Sequence, residues 1–569
     1  MVRFTFDSAN ANQQYIFITA TFNTNEELTL LQLPSWRPGR YELGNFAKNL
    51  RNLRVFDEQN QLLSTKKVTK DSWEVDSSKT ATIRVEYNYY SNELNAGSTF
   101  LSADQLYVNP VNCCMFTEET YAEEVEVNLN IPAHWKVATS LDKKETSWTA
   151  SGTEELLDSP FVASASLQHN SYECGGTTFH IWFNGEVKPD WERLIKDFKA
   201  FTEVQIAKFT EFPVKEYHFI NQILPVRAYH GVEHQKSTVI ALGPSYTIFD
   251  SLYTELLGVS SHELYHTWNV KAIRPIEMYP YNFTTENYSQ LGYICEGVTT
   301  YQGDLFLFKG GVFDEKQYFK ELTKQIQRHF DNPGRFHYSV ADSSFDTWLD
   351  GYVAGAPGRK VSIYTEGCLL AFATDVMINR ITEHKYGLDE VMRRLYFDFA
   401  LNDKGVSAED YQRTIEEVAG QSFQSFFDDY INGTRPYESI IVDSLEYLGL
   451  ELDHVPSTKY SEGRLGFKAL ASGKDFIIKA MYPGGPAEIS GLMLEDKIIA
   501  INNYGCDGEL NKWLSYFDDD EKVLTINRGG SILHITMPEV NRNFYMTYSV
   551  RKAENPDKLQ VRAFEWWRK

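Results

Sequence analysis

The chain is poor in cysteine. Six occur in 569 residues, at positions 113, 114, 174, 295, 368 and 506, with no CxxC pair and two of them adjacent. A disulfide framework is therefore not expected, and free thiols in a reducing compartment are. No run of eighteen uncharged apolar residues occurs, and the start, Met-Val-Arg-Phe-Thr-Phe-Asp, has no apolar signal core. A cytoplasmic protein is the plain reading, with a periplasmic or secreted one the alternative if a signal was removed. Positive charge is also short: Lys plus Arg is 55 against 78 Asp plus Glu, a net −23. Such a field repels phosphate backbones and anionic lipid, so neither nucleic acid nor membrane is an expected partner. Internal repeats and low-complexity tracts are absent. What is present, 42% hydrophobic and 14% aromatic residues, suits a soluble globular chain and excludes disorder, collagen and coiled coil. The length predicts about three to five domains.

The periodicity divides the chain. Alternating runs such as 14–22, 82–90 and 124–129, broken by turns at 36–40 and 95–97, predict β structure over 1–168, a sandwich or barrel. A mixed segment follows, with a helix over 191–209 and strands at 179–183, 217–221 and 239–242. From about 246 to 433 apolar residues recur at three- and four-residue spacing, predicting helices over 249–270, 290–308, 315–330, 363–384 and 387–399. Beyond 432–436 the pattern returns to short strands, with a hairpin at Asn527-Arg-Gly-Gly530. The predicted organisation is multidomain α+β: 1–168, 169–445, 446–545, and a tail over 546–569.

The chemistry concentrates in Ser260-Ser-His-Glu-Leu-Tyr-His-Thr-Trp-Asn269. His262 and His266, four apart on a helix, rise from one face about a turn apart, a spacing at which two imidazoles can share one zinc ion. Glu263 is turned to the side, where it can hold a water without ligating the metal. A zinc site needs a third protein ligand, and Glu296, thirty positions beyond His266 on a second helical segment, is the candidate. Two inert buried histidines and a solvated glutamate are the alternative.

These segments resemble the glycyl aminopeptidase family of zinc metallopeptidases, which shares with thermolysin and aminopeptidase N a zinc held by two His and a distant Glu. The resemblance rests on His262–Asn269 with Val270-Lys-Ala-Ile-Arg-Pro275, on Glu296-Gly-Val-Thr-Thr-Tyr301, and on Leu33-Pro-Ser-Trp-Arg-Pro-Gly-Arg-Tyr41 with Phe46-Ala47. It implies an N-terminal β-sandwich-like domain, a thermolysin-like, mostly helical catalytic domain and a C-terminal PDZ-like domain. It also implies one Zn2+ per chain on His262, His266 and Glu296, with Glu263 as general base. Gly231-Val-Glu-His234 resembles the family's Gly-x-Glu-His segment, so Glu233 would pair with the α-ammonium of a peptide with a free N-terminus. Ser362-Ile-Tyr-Thr-Glu-Gly367 resembles a Tyr-x-Lys-Gly segment whose tyrosine stabilises the oxyanion. Tyr364 takes that role, Glu366 departs from the pattern, and Tyr352 is the spare candidate. Asp304 is a candidate to orient the histidines, while His230 and His234 are expected off the metal.

Arg464-Leu-Gly-Phe467 and Gly485-Pro-Ala-Glu-Ile-Ser-Gly-Leu492 resemble protease-associated PDZ modules, which implies a possible site for a peptide C-terminus. The implied function is a zinc aminopeptidase removing small N-terminal residues, glycine first and alanine next. The alternatives are a zinc endopeptidase and a non-enzymatic PDZ peptide-binding protein. Glu233 argues against the first, and the intact set His262, Glu263, His266 and Glu296 against the second.

Overall fold

The computed structural model describes residues 1–353 and 355–569. The N-terminal part is β-rich. Strands Tyr15–Asn23 and Thr82–Tyr90 alternate buried and half-buried residues along their whole length, the period-2 pattern of a sheet packed on one face. They pair antiparallel within a seven-stranded sheet, where Val2–Asp7 also pairs parallel to Val125–Asn130. A four-stranded and a three-stranded sheet complete this part, around a core that includes Phe4, Ile18, Trp36 and Tyr87.

The middle part opens with a mixed five-stranded sheet, in spatial order Gln168–Cys174, Thr177–Asn184, Glu216–Ile223, Ser237–Gly243 and Ala228–Glu233. The last is an edge strand, antiparallel to its neighbour. Helix Trp191–Phe209 packs on this sheet, its start fixed by Asp190, which accepts from the Arg193 N–H at 3.2 Å. Helices Tyr253–Tyr265, Thr299–Lys309, Glu315–Asp331 and Ile363–Ile381 follow. The third is opened by a capping box between Asp314 and Gln317.

Beyond residue 432 the structure departs from the sequence reading in two places. After 432–436 the chain forms a further helix, Glu438–Tyr447, before any strand. Ile441 and Leu445 on that helix are fully buried against the helical core, so four-residue spacing outweighed its β-branched residues. Nor is 546–569 a tail. Met546–Lys552 pairs with Leu450–Pro456, and helix Lys558–Trp567 returns to the core. There the fully buried Trp567 donates its indole N–H to the Tyr301 hydroxyl at 2.8 Å, and Tyr301 donates to Asp375. Between the paired strands lies a separate sheet of five strands in line with a sixth at its side, with a core of its own around Phe467, Ile478 and Leu524. Phe467–Ser472 is an edge of that sheet. Phe544 lies against Gly466 in the adjoining loop. All six cysteines are free and buried.

Candidate active site

His262 stands in the last turn of helix Tyr253–Tyr265, and His266 is its C-cap, with helical dihedrals of φ −59° and ψ −20°. The helix is shorter than the predicted 249–270 by about a turn at each end, yet both imidazoles face the same way, their Nε2 atoms 3.0 Å apart. Its outer side is held by Gln205, which donates to the Ser261 carbonyl at 3.0 Å, and by Ser261, which donates to the Gly303 carbonyl at 2.7 Å. Gly303 is required for the close approach, since a Cβ there would lie 3.0 Å from the His262 Cα.

Glu296 lies on a π-helical segment, Tyr293–Val298, that runs into helix Thr299–Lys309. Such a bulge re-aims one side chain without ending the helix. Here it brings Glu296 Oε2 to 3.6 Å from His262 Nε2 and 3.4 Å from His266 Nε2. The segment is tied to the turn after the histidines by Asn269, whose amide donates to the Ile294 carbonyl at 2.9 Å and Thr299 Oγ1 at 3.0 Å. The Asn269 carbonyl in turn accepts from His266 Nδ1 at 2.9 Å. This carbonyl, and not Asp304, orients the ring and leaves the Nε2 lone pair facing Glu296. Val270, the next residue, has φ +96°, a conformation that costs a β-branched residue roughly 1–3 kcal/mol.

Three donors separated by 3.0, 3.4 and 3.6 Å fit a single divalent ion. Tetrahedral zinc with ligands at about 2.0–2.1 Å spaces them by about 3.3 Å. Electrostatics agree. Burial works against a proton on His266, yet Glu296 outweighs it and pushes the group up to about 10. Burial likewise disfavours the Glu296 charge, but His266 and His262 hold its carboxyl down to about 2. The carboxylate thus demands a positive charge between the two rings, which a proton or a metal ion can supply.

Glu263 and Glu233 face the same space. Both are 4% exposed, and each has one carboxylate oxygen without a hydrogen-bond partner, Glu263 Oε2 and Glu233 Oε1. Oxygens of Glu233 and Glu263 and a nitrogen of His266 lie within 4.8 Å of one another. Burial, then the neighbouring carboxylates Glu233 and Glu296, raise Glu263 well above the carboxylate range, against the pull of His266. Glu233 ends the edge strand Ala228–Glu233, and Gly231 on that strand lets Glu263 approach, for a Cβ there would sit 2.1 Å from Glu263 Oε1.

All these residues line one cavity of about 830 Å³, together with Tyr364 and Asp304. Tyr364 is 36% exposed, and its ring centroid is 6.5 Å from that of His262. Its helix is set against the π-segment through Gly297 and Gly367, where a Cβ on Gly297 would lie 2.3 Å from the Gly367 Cα. Tyr352 is engaged elsewhere, its hydroxyl accepting from the Tyr41 N–H at 3.1 Å. Glu366 is buried and accepts from His329 Nδ1 at 2.7 Å, so this departure from the resembled motif is satisfied by a partner of its own. His234 is engaged with Asp158 at 3.0 Å. Burial and the cations of Arg37 and Arg40 bring His230 down to about 4.

The sequence reading missed the turn Arg37-Pro38-Gly39-Arg40 as part of this site. Pro38 and Gly39 (φ +79°) occupy the central positions of the turn, closed by Arg40 N–H to Arg37 C=O at 3.2 Å. Gly39 abuts the Glu233 carboxylate, so that a Cβ there would lie 2.4 Å from Oε2. The β-rich part therefore walls the cavity, anchored by Trp36, whose indole donates to the Asn282 carbonyl at 2.7 Å. Trp-Arg-Pro-Gly-Arg is visible as a turn, but nothing local says which distant strand it meets.

Comparison with known proteins follows the same division. Residues 3–165 match the Peptidase M61 N-terminal domain, and residues 255–370, which contain His262, Glu263, His266, Glu296 and Tyr364, match the M61 glycyl aminopeptidase model. The chain is similar to the crystal structure of an aminopeptidase N family protein from Idiomarina loihiensis, with a TM-score of 0.92 and 25% identity over 100% of both chains. It also overlaps an M1 zinc metallopeptidase from Deinococcus radiodurans, with a TM-score of 0.48 and 13% identity over 76% of this chain and 93% of that one. No curated protein matches by sequence. Residues 3–165 and 255–370 thus carry, in order, the two domains that the M61 glycyl aminopeptidase family models describe.

Proposed function

We propose that the protein is a zinc-dependent aminopeptidase that removes small N-terminal residues, glycine and then alanine, from peptides with a free N-terminus. The observation that carries this reading is the placement of Glu233: a buried carboxylate with a free oxygen, beside Glu263 and within 4.8 Å of a His266 nitrogen. His262, His266 and Glu296 would hold one Zn2+. When bound, it supplies Lewis acidity, lowering the pKa of water and polarising the scissile carbonyl.

The chain's own groups do the rest. Glu233 binds the substrate α-ammonium and so sets which peptide bond reaches Glu263. Glu263 takes a proton from the attacking water and passes it to the departing amine, a role its raised pKa suits. The Tyr364 hydroxyl keeps its proton, because desolvation and then the Glu296 charge raise its pKa. It can therefore donate to the developing oxyanion. The preference for glycine and then alanine is what the family resemblance implies. On the C-terminal module, the edge strand Phe467–Ser472 supports a further, PDZ-like role in holding a peptide C-terminus by strand addition.

The test is hydrolysis of Gly-Ala-Ala and its N-acetylated twin by zinc-loaded and chelated protein. Zinc-dependent release of glycine from the free peptide alone is expected. Equal cleavage of both peptides would point to an endopeptidase, and cleavage of neither would remove the enzymatic reading for these substrates.

A further inference from the structure

The same turn that walls the peptidase cavity has a second side. Gly39 lines the large cavity, while Arg37 and Arg40 line another, of about 450 Å³, set within the β-rich part. We propose that this second cavity is a binding site for a small oxyanion, a carboxylate or phosphate, with the Arg37 guanidinium as its anchor.

Arg37 is 6% exposed, and its Nη1 has no hydrogen-bond partner. A guanidinium taken out of water loses several kcal/mol of solvation unless a partner restores it. The surroundings do not. Burial is the largest influence on its titration and acts against the charge. No carboxylate reaches within 4.0 Å of it among the described residues. The nearby Arg40 adds a second cation, and the Glu233 charge on the other side of the turn acts only at longer range. The chain has nevertheless shaped itself to hold the guanidinium here: a Cβ on Gly97 would lie 2.1 Å from Arg37 Cζ and Nη2.

The charge balance of the lining favours an anion. Arg37, Arg40 and Lys48 face it against Glu42 and Glu93. Glu42 and Arg40 pair with each other, which leaves Arg37 and Lys48 against Glu93, whose carboxylate accepts from the Asn95 amide at 2.7 Å. This net positive lining stands in a chain of net charge −23, so it is not a general property of the surface. The planar fork of an arginine matches a carboxylate or phosphate through paired N–H donors. The site is independent of the peptidase reading, since it involves none of the residues proposed for hydrolysis.

The experiment is isothermal calorimetry of the full chain with inorganic phosphate and, separately, with acetate. It is run on the wild type, Arg37→Met and Lys48→Met. Methionine retains the length of the buried stem, and Lys48 is exposed, so its replacement leaves the core untouched. A saturable one-to-one component is expected with at least one anion, weakened about tenfold or more by Arg37→Met and less by Lys48→Met. The stronger of the two anions identifies phosphate or carboxylate as the natural class. Absence of binding by both anions, or binding to Arg37→Met as tight as to the wild type, would overturn the assignment.

Discussion

Gly231→Ala separates the proposed general base from everything else in the site. The new methyl would start 2.1 Å from Glu263 Oε1, 2.7 Å from its Cδ and 2.9 Å from Val259 Cγ2. Comfortable contact is about 3.5 Å, so the carboxylate must retreat by about 1 Å. The backbone at 231 lies in an ordinary strand, and the atoms in the way belong mainly to the end of a flexible side chain. The stability cost should therefore be small, within about 1 kcal/mol. Catalysis is far less tolerant, because misplacing a reacting group by about 1 Å costs about 100-fold, or about 2.7 kcal/mol of transition-state stabilisation. The His262, His266 and Glu296 donors are untouched. The assay is kcat on Gly-Ala-Ala, with zinc content by mass spectrometry and stability by denaturant titration. A hundredfold lower kcat with full metal content and near-native stability is expected. A variant within threefold of wild-type kcat would refute the placement of Glu263 as the base.

Three further outcomes follow from the same geometry. Glu233→Gln should lower kcat/KM for free-amine peptides by about 10- to 100-fold, the worth of a charge-assisted contact, without improving cleavage of acetylated ones. Equal kcat/KM in variant and wild type would show that the amine is held elsewhere. Trp567→Ala should cost about 3–5 kcal/mol in unfolding free energy by denaturant titration, since the indole is fully buried and satisfies Tyr301. A loss below 1 kcal/mol would mean that the last helix is not part of the core. His218 accepts from Trp182 Nε1 at 3.1 Å and is brought down to about 3, mainly by burial and then by His180 and His169. The unfolded chain protonates this histidine near pH 6.5 while the native one does not. Its contribution to stability is thus complete above pH 6.5 and is lost as pH falls towards 3, by about 3 kcal/mol between pH 6.5 and 4. His218→Phe should flatten that part of the stability–pH curve, and an unchanged slope would contradict the shift.

Much of this is legible in the sequence because it is local. The histidine pair is a matter of helical spacing, and helix Trp191–Phe209 coincides with its apolar periodicity. The hairpin at Gly529 and Gly530, both at positive φ, is written in its glycines. The rest depends on distant meetings. That Glu296 sits on a π-turn follows from packing between Gly297 and Gly367, which no periodicity encodes. The orienting partner of His266 is a backbone carbonyl, invisible in side-chain identities, so an aspartate is the natural candidate from sequence. Helix Glu438–Tyr447 escapes a sequence reading because Ile440, Ile441 and Val442 suggest a strand until their helical neighbours are known. Arg37 is recognisable as a member of a motif, but its isolation from any counter-charge appears only when the surrounding strands are in place.

The pairing of Leu450–Pro456 with Met546–Lys552 has a topological meaning. Pro456 stands opposite Met546, and the Ser457 N–H donates to the Tyr545 carbonyl at 3.0 Å, so residues 457–545 amount to the connection of a single β-hairpin. A folded module occupies that connection and holds its own ends together, which spares the hairpin most of the chain entropy of closing so long a loop. The module is in this sense a guest in the turn of its host. Exchanging it for a two-residue Asn-Gly turn would leave the hairpin's register, and with it the return of the last helix to the core, geometrically intact.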